Sequence, residues 1–182
     1  MRDLLPTFAV ARQPKTAESG QSVMEFAVML PFMILLLLGV VEIGRAVYLH
    51  IEVANAATAG VEYGSQNEVK ASDIAGMQDA AVCDANSQPG PPGSPCTGGI
   101  LTPADATATH GCFCQVTGSG TRSGQGCDPA QWLPCATISC GGDVVVECVQ
   151  VTTQASFNSL FNYPLLPSSF TAHGNAIMRV RR

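Results

Sequence analysis

Charge is what this chain has least of: only 13% of its 182 residues are Asp, Glu, Lys or Arg, against 46% hydrophobic. That balance is rich in apolar residues for a soluble globule. The deficit is concentrated, because Phe26 to Val41 contains no charged residue. Basic clusters are also missing apart from Arg179, Arg181 and Arg182, and the formal net charge is −5, which speaks against nucleic-acid binding. His50, His110 and His173 are scattered, and neither a Ser-His-acid set nor a carboxylate pair can be assembled, so no catalytic residue is expected. There is no Cys-x-x-Cys and no cysteine before Cys83. The first absence removes a thioredoxin-like redox centre, and the second confines any cysteine chemistry to residues 83–182.

What is present begins with the charge-free run. Glu42 and Arg45 can be tolerated near an interface, which extends the apolar stretch to about Leu49, close to the ~20 residues that cross a bilayer. One transmembrane helix is predicted over 21–49. Arg2, Arg12 and Lys15 precede it, while Lys70 is the only Lys or Arg between Tyr48 and Arg122. The positive-inside rule then places the N-terminus in the cytoplasm. An ordinary secretory signal puts its small-residue cleavage site after the apolar core. Here Gly20 lies before it, so a cut at Gly20-Gln21 would leave the hydrophobic helix on the mature protein. Residues 1–20 therefore read as a basic propeptide of the prepilin type. The alternative is an uncleaved signal-anchor.

Three features inside or beside the span carry local expectations. Glu25 would be fifth in the cleaved chain, one helical turn from the new α-amino group of Gln21. The two could pair within one chain or between neighbouring subunits. Pro31 removes a backbone hydrogen bond and predicts a kink, which membrane helices tolerate. Glu42 and Arg45, three apart, predict an ion pair on one helical face.

From 50 to 82 the helical pattern persists through small residues: Ala54, Ala57, Val61, Ile74, Met77 and Ala81 recur near helical spacing. A stalk continuation is expected, broken near Gly64 to Asn67 because glycine weakens a helix, and packed against the chain's own strands. The composition then turns to Gly, Pro, Ser, Thr and Cys over 83–142, including Gln88-Pro89-Gly90-Pro91-Pro92-Gly93-Ser94-Pro95. That density of breakers predicts loop without regular elements. Cys83, Cys96, Cys112, Cys114, Cys127, Cys135, Cys140 and Cys148 lie in or beside it. Their even number outside the span predicts a framework of up to four disulfides, with connectivity open. Were Gly111 to Val116 a strand, Cys112 and Cys114 would share a face and reach two different loops rather than each other. The rival reading, zinc held by these thiolates, lacks the spacing of a ribbon or finger; no metal or cofactor is expected.

Residues 143–182 read as strands. Asp143 to Gln154, in which Val144 to Val151 is rich in β-branched residues, reads as one strand, and Phe170, Ala172, Gly174, Ala176, Met178 and Val180 alternate with a mostly polar set. The apolar face is expected to cover the stalk helix. Tyr163-Pro164-Leu165-Leu166-Pro167 joins the two strands and is expected to pack back on the sheet. The fold class is α+β: one long N-terminal helix and a small disulfide-rich head with a short antiparallel sheet.

Gly20-Gln21-Ser22-Val23-Met24-Glu25-Phe26-Ala27 with Leu30-Pro31, then Val41-Glu42-Ile43-Gly44-Arg45, resembles the TadE-like family of minor pilins or pseudopilins. Val53-Ala54-Asn55-Ala56-Ala57-Thr58-Ala59-Gly60-Val61-Glu62-Tyr63-Gly64 is similar to that family's small-residue segment. Ala176-Ile177-Met178-Arg179-Val180 looks like its closing strand. The chain departs from the family at Thr58-Ala59-Gly60-Val61-Glu62, where relatives commonly have a basic residue, and in its cysteine-bearing insertion. The resemblance implies a component of the tight-adherence (Tad/Flp) pilus system. Such a subunit is cleaved by a prepilin peptidase, partnered by other pilin or pseudopilin subunits and the pilus assembly platform, and needed for pilus assembly, adhesion and surface attachment. It implies a single-pass protein of a bacterial inner membrane with a periplasmic head, and no catalysis. A membrane-anchored periplasmic binding or adhesive module with an uncleaved leader is the alternative from a different class.

Overall fold

A computed structural model of the chain describes residues 20–86, 96, 99–115, 127–142, 144–160 and 168–181. The basic leader before Gly20, the Gln88 to Pro95 stretch and the Tyr163 to Pro167 connection lie outside the described residues. The chain divides into two compact units, Met1–Val41 and Glu42–Arg182.

In the first unit, Gln21 opens helix α1 (Gln21–Gly64), which runs without interruption through Pro31. Leu, Ile, Val, Met and Phe crowd every face of this part, and the large apolar side chains from Val23 to Val41 are exposed, apart from the half-buried Leu38. A helix apolar all round has no polar face to give to water. By length and composition it can cross a membrane, and it fits a single-pass anchor.

The second unit takes α1 from Glu42 onward. Here Val53, Ala56, Ala57, Gly60, Val61 and Gly64 are buried at alternating steps of three and one, which gathers them on one stripe. Small residues let the helix axis approach its neighbours closely. A Cβ on Gly60 would meet the Met77 carbonyl oxygen at 2.9 Å and the Val151 methyls at 3.0 Å. The helix stops at Gly64, within the interval where glycine was expected to break it. Two further helices follow, α2 (Glu68–Ala71) and α3 (Ile74–Asn86). Asn67 caps α2 by accepting from the Lys70 N–H at 2.9 Å. Asp73 caps α3 by accepting from the Gly76 N–H at 2.9 Å.

Three antiparallel strands in the order β1-β2-β3 complete the unit: β1 (Ala106–Gln115), β2 (Val144–Asn158) and β3 (Ser169–Arg179). Ala106, Ala108, Val149, Val151, Ala155 and Ala172 join Val53, Val61, Met77 and Ala81 in one core, so the sheet's apolar face packs on the helices, as expected. β3 alternates as read from the sequence, with Ala172 and Gly174 buried and Thr171, His173 and Asn175 exposed. The observed fold is α+β, with a long apolar N-terminal helix, a three-stranded sheet and four disulfides.

Two expectations are corrected. Residues 83–142 are not all loop, because β1 lies inside them and α3 extends to Asn86. The strand was hidden by its composition: Ala106-Thr107-Ala108-Thr109 buries only alanine, which close-packed α3 requires and a hydrophobicity pattern does not register. β2 also runs four residues past Gln154, the end read from the sequence.

Candidate functional site

Gly20, Gln21 and Glu25 fall at the start of α1. Gln21 is its first residue, Gly20 lies immediately before it, and a Cβ on Gly20 would meet nothing within 4 Å. Glu25 is exposed one turn inside. Among the described residues no ion pair involves it. This is one acid on an otherwise apolar surface, flanked by Met24 and Phe26, both exposed.

At the start of the second unit the expected Glu42–Arg45 pair is present, Arg45 Nη1 to Glu42 Oε2 at 3.4 Å. It is half of a larger arrangement. Glu42 is only 7% exposed; its Oε1 accepts the Leu160 backbone N–H at 2.8 Å, and Ser159 also hydrogen-bonds to the carboxylate. A buried carboxylate is costly unless its lone pairs are filled, and here three donors fill them. The Arg45 guanidinium sits 5.2 Å from the Phe157 ring centroid, and Phe157 stacks on Phe170 at 4.8 Å. No local pattern reveals the Glu42–Leu160 contact, since 118 positions separate the residues.

The eight cysteines form Cys83–Cys96, Cys112–Cys135, Cys114–Cys140 and Cys127–Cys148. Their Cα separations, 5.0, 4.9, 5.4 and 5.8 Å in that order, suit a disulfide. Cys112 and Cys114 do not pair with each other, in line with their shared strand face. They reach the same segment, 127–142, rather than two different loops. That segment wraps the far end of the sheet. Leu133 exchanges both backbone hydrogen bonds with Cys112, at 3.0 and 2.8 Å, and the Trp132 side chain occupies the space over Gly111. Cys140 leads into Gly141 and Gly142, whose φ of 54° and 116° turn the chain into β2 through conformations only glycine adopts readily. Cys83–Cys96 closes the end of α3, where the buried Asn86 amide brackets Leu101, donating to its carbonyl at 3.0 Å and accepting its N–H at 3.2 Å.

Sequence reading missed one polar cluster. His110 Nε2 lies 2.5 Å from Glu147 Oε1 and 3.4 Å from Cys135 Sγ. His110, Cys112 and Cys135 place their donor atoms within 4.8 Å of one another, the spacing of a metal site. Both sulfurs are joined to each other, however, and a disulfide offers no thiolate. The only advance signal was that His110 and Cys112 share a strand face.

No curated protein and no solved structure matches the chain. Residues 20–62 match the family model described as TadE-like protein. The match begins at Gly20 and runs through the apolar part of α1 into the buried stripe of Ala56, Ala57, Gly60 and Val61. Over that segment the chain is similar to TadE-like proteins.

Proposed function

We propose that this chain is a minor pilin, or pseudopilin, of a Tad/Flp-type pilus. Its work is assembly and not catalysis. The carrying observation is the coincidence of the TadE-like match with the helix geometry: residues 20–62 match, and α1 starts at Gln21 directly after Gly20. A prepilin peptidase cutting Gly20-Gln21 would release the helix with its N-terminus intact. The apolar part of α1 holds the subunit in the inner membrane, the N-terminal side faces the cytoplasm, and the disulfide-bonded head lies in the periplasm, where oxidised cysteines persist. Glu25 sets the register of α1 against neighbouring pilin helices by pairing with the α-amino group of a processed subunit. An ion pair in low dielectric is far better than either charge alone.

The test is N-terminal sequencing and intact mass of the protein recovered from its native host, beside a Gly20→Ala variant. A mature chain beginning at Gln21, lost in the variant, supports the pseudopilin reading. An intact leader in both would overturn it and leave a membrane-anchored module whose function resides in the cysteine-rich head.

A further inference from the structure

The residues around Glu42 are arranged for a second task. The charge-free run from Phe26 to Val41 rises about 24 Å as helix, short of the ~30 Å hydrocarbon core. Extending it by one turn at either end reaches that thickness, so Glu42 lies within about a turn of the bilayer boundary whichever end is extended. Beyond Val41 the helix keeps an exposed apolar stripe, Ile43, Val47 and Ile51, spaced four apart. At the level of Glu42 the connection between β2 and β3 is tied to the helix through the Leu160 N–H. Ser159 N–H, donating to the Ser168 carbonyl at 2.9 Å, closes the base of that connection.

What this tie presents is apolar. Leu160 is 63% exposed and Phe170 40%, with Phe170 stacked on Phe157. Beside them the Arg45 side chain is 43% exposed and uses Nη1 on Glu42. A guanidinium has five N–H donors in a fixed fork, so others remain for an anion. Exposed leucine and aromatic edges next to an arginine, at the depth where acyl chains give way to phosphates, match the composition of an interfacial contact.

We propose that Leu160 and Phe170 form an interfacial membrane anchor: these two side chains enter the acyl boundary and Arg45 binds lipid phosphate. The occupant is a lipid surface, because Glu42 and Arg45, to which Leu160 and Phe157 are tied, follow the charge-free run directly along the chain, and Arg45 supplies the cation such a surface attracts. Glu42 is the positioning residue; it holds Leu160 at that depth while its own charge is compensated within the protein. The proposal rests on the membrane-span reading of α1 and is independent of pilus function.

The test uses the full chain in nanodiscs loaded at one copy per disc, made from phosphatidylcholine brominated on its acyl chains near the head group. The chain has a single tryptophan, Trp132, on the cysteine-bonded segment, and the parent protein therefore supplies the reference emission. Leu160→Trp adds a fluorophore at an exposed site where folding does not depend on the side chain, and Val40→Trp adds one within the span. The expected result is that the Leu160→Trp emission is blue-shifted and loses most of its added intensity in brominated discs, as Val40→Trp does, while Trp132 is unaffected. An unquenched Leu160→Trp beside a quenched Val40→Trp overturns the anchor and keeps the span. An unquenched Val40→Trp overturns both. A blue shift seen only in discs carrying several copies also overturns the proposal, in favour of contact between copies of this chain.

Discussion

The Thr153 hydroxyl donates to the Val53 carbonyl oxygen at 2.7 Å, joining β2 to the first residue of the buried stripe of α1. Across the sheet its partner is Gly174, and a Cβ there would run into the same carbonyl. Strand and helix backbones are thus in contact at one point, made possible by a missing side chain and secured by a buried hydroxyl. Thr153→Val keeps the shape and removes the donor. It should cost about 1 kcal/mol, the net worth of one such hydrogen bond, read as a lower denaturant midpoint for the detergent-solubilised full chain. An unchanged midpoint would mean that the hydroxyl only fills space.

Close packing at the stripe makes a sharper contrast. Gly60→Ala forces a methyl against the Met77 carbonyl and Val151 and should destabilise the second unit by roughly 1–3 kcal/mol, as overpacking does. Gly44→Ala meets nothing within 4 Å and should be neutral or stabilising by up to about 1 kcal/mol, the ordinary helix preference for alanine. Equal effects of the two substitutions in the same unfolding measurement would refute the close approach of α1 to the sheet.

Local features of the chain were legible where one side chain's chemistry decides local structure. Gly64 ends α1, Glu42 and Arg45 pair at helical spacing, and the alternation in 170–180 marks β3 and its buried face. The hidden features depend on distant partners. β1 looks like loop because its core positions are alanines that only α3 makes sense of. Glu42 looks like half of a surface ion pair because Leu160 is remote in sequence. The disulfide framework followed from cysteine count and the compartment expected from the sequence, yet its connectivity required knowing that the 127–142 segment folds over the end of the sheet.

That framework predicts a specific map. Proteolysis of the unreduced protein should yield the four linkages Cys83–Cys96, Cys112–Cys135, Cys114–Cys140 and Cys127–Cys148, identified by mass spectrometry. The bridges close sequence separations of 13, 23, 26 and 21, so loss of any one should cost about 3 kcal/mol through freedom returned to the unfolded chain. Replacing Cys114 and Cys140 together by alanine should lower the thermal midpoint without disturbing the other three linkages. Reshuffled linkages in that variant would show that the segment does not fold over the sheet independently of its bridge.

The cap of α3 should make stability depend on pH at both extremes. The Asp73 carboxylate accepts the Gly76 backbone N–H and the Tyr63 hydroxyl, both at 2.9 Å, and these bonds hold its pKa below the ordinary 3.8. Because folding lowers this pKa, the stabilisation is complete above the unfolded value and is lost as pH falls through the folded one. The same bond raises the Tyr63 pKa above its ordinary 10.0, chiefly through the hydrogen bond to Asp73, with burial adding to it. Folding therefore favours neutral Tyr63, and that contribution is complete below pH 10 and lost as pH climbs through the raised value. Asp73→Ala should lower the thermal midpoint at pH 7 and narrow its gap to the parent below pH 4, where the parent loses the same charge. Tyr63→Phe should flatten the alkaline limb. An Asp73→Ala gap that stays constant from pH 7 to pH 2 would show that the cap does not require the ionised carboxylate, and with it that Asp73 fixes the start of α3 by shape alone.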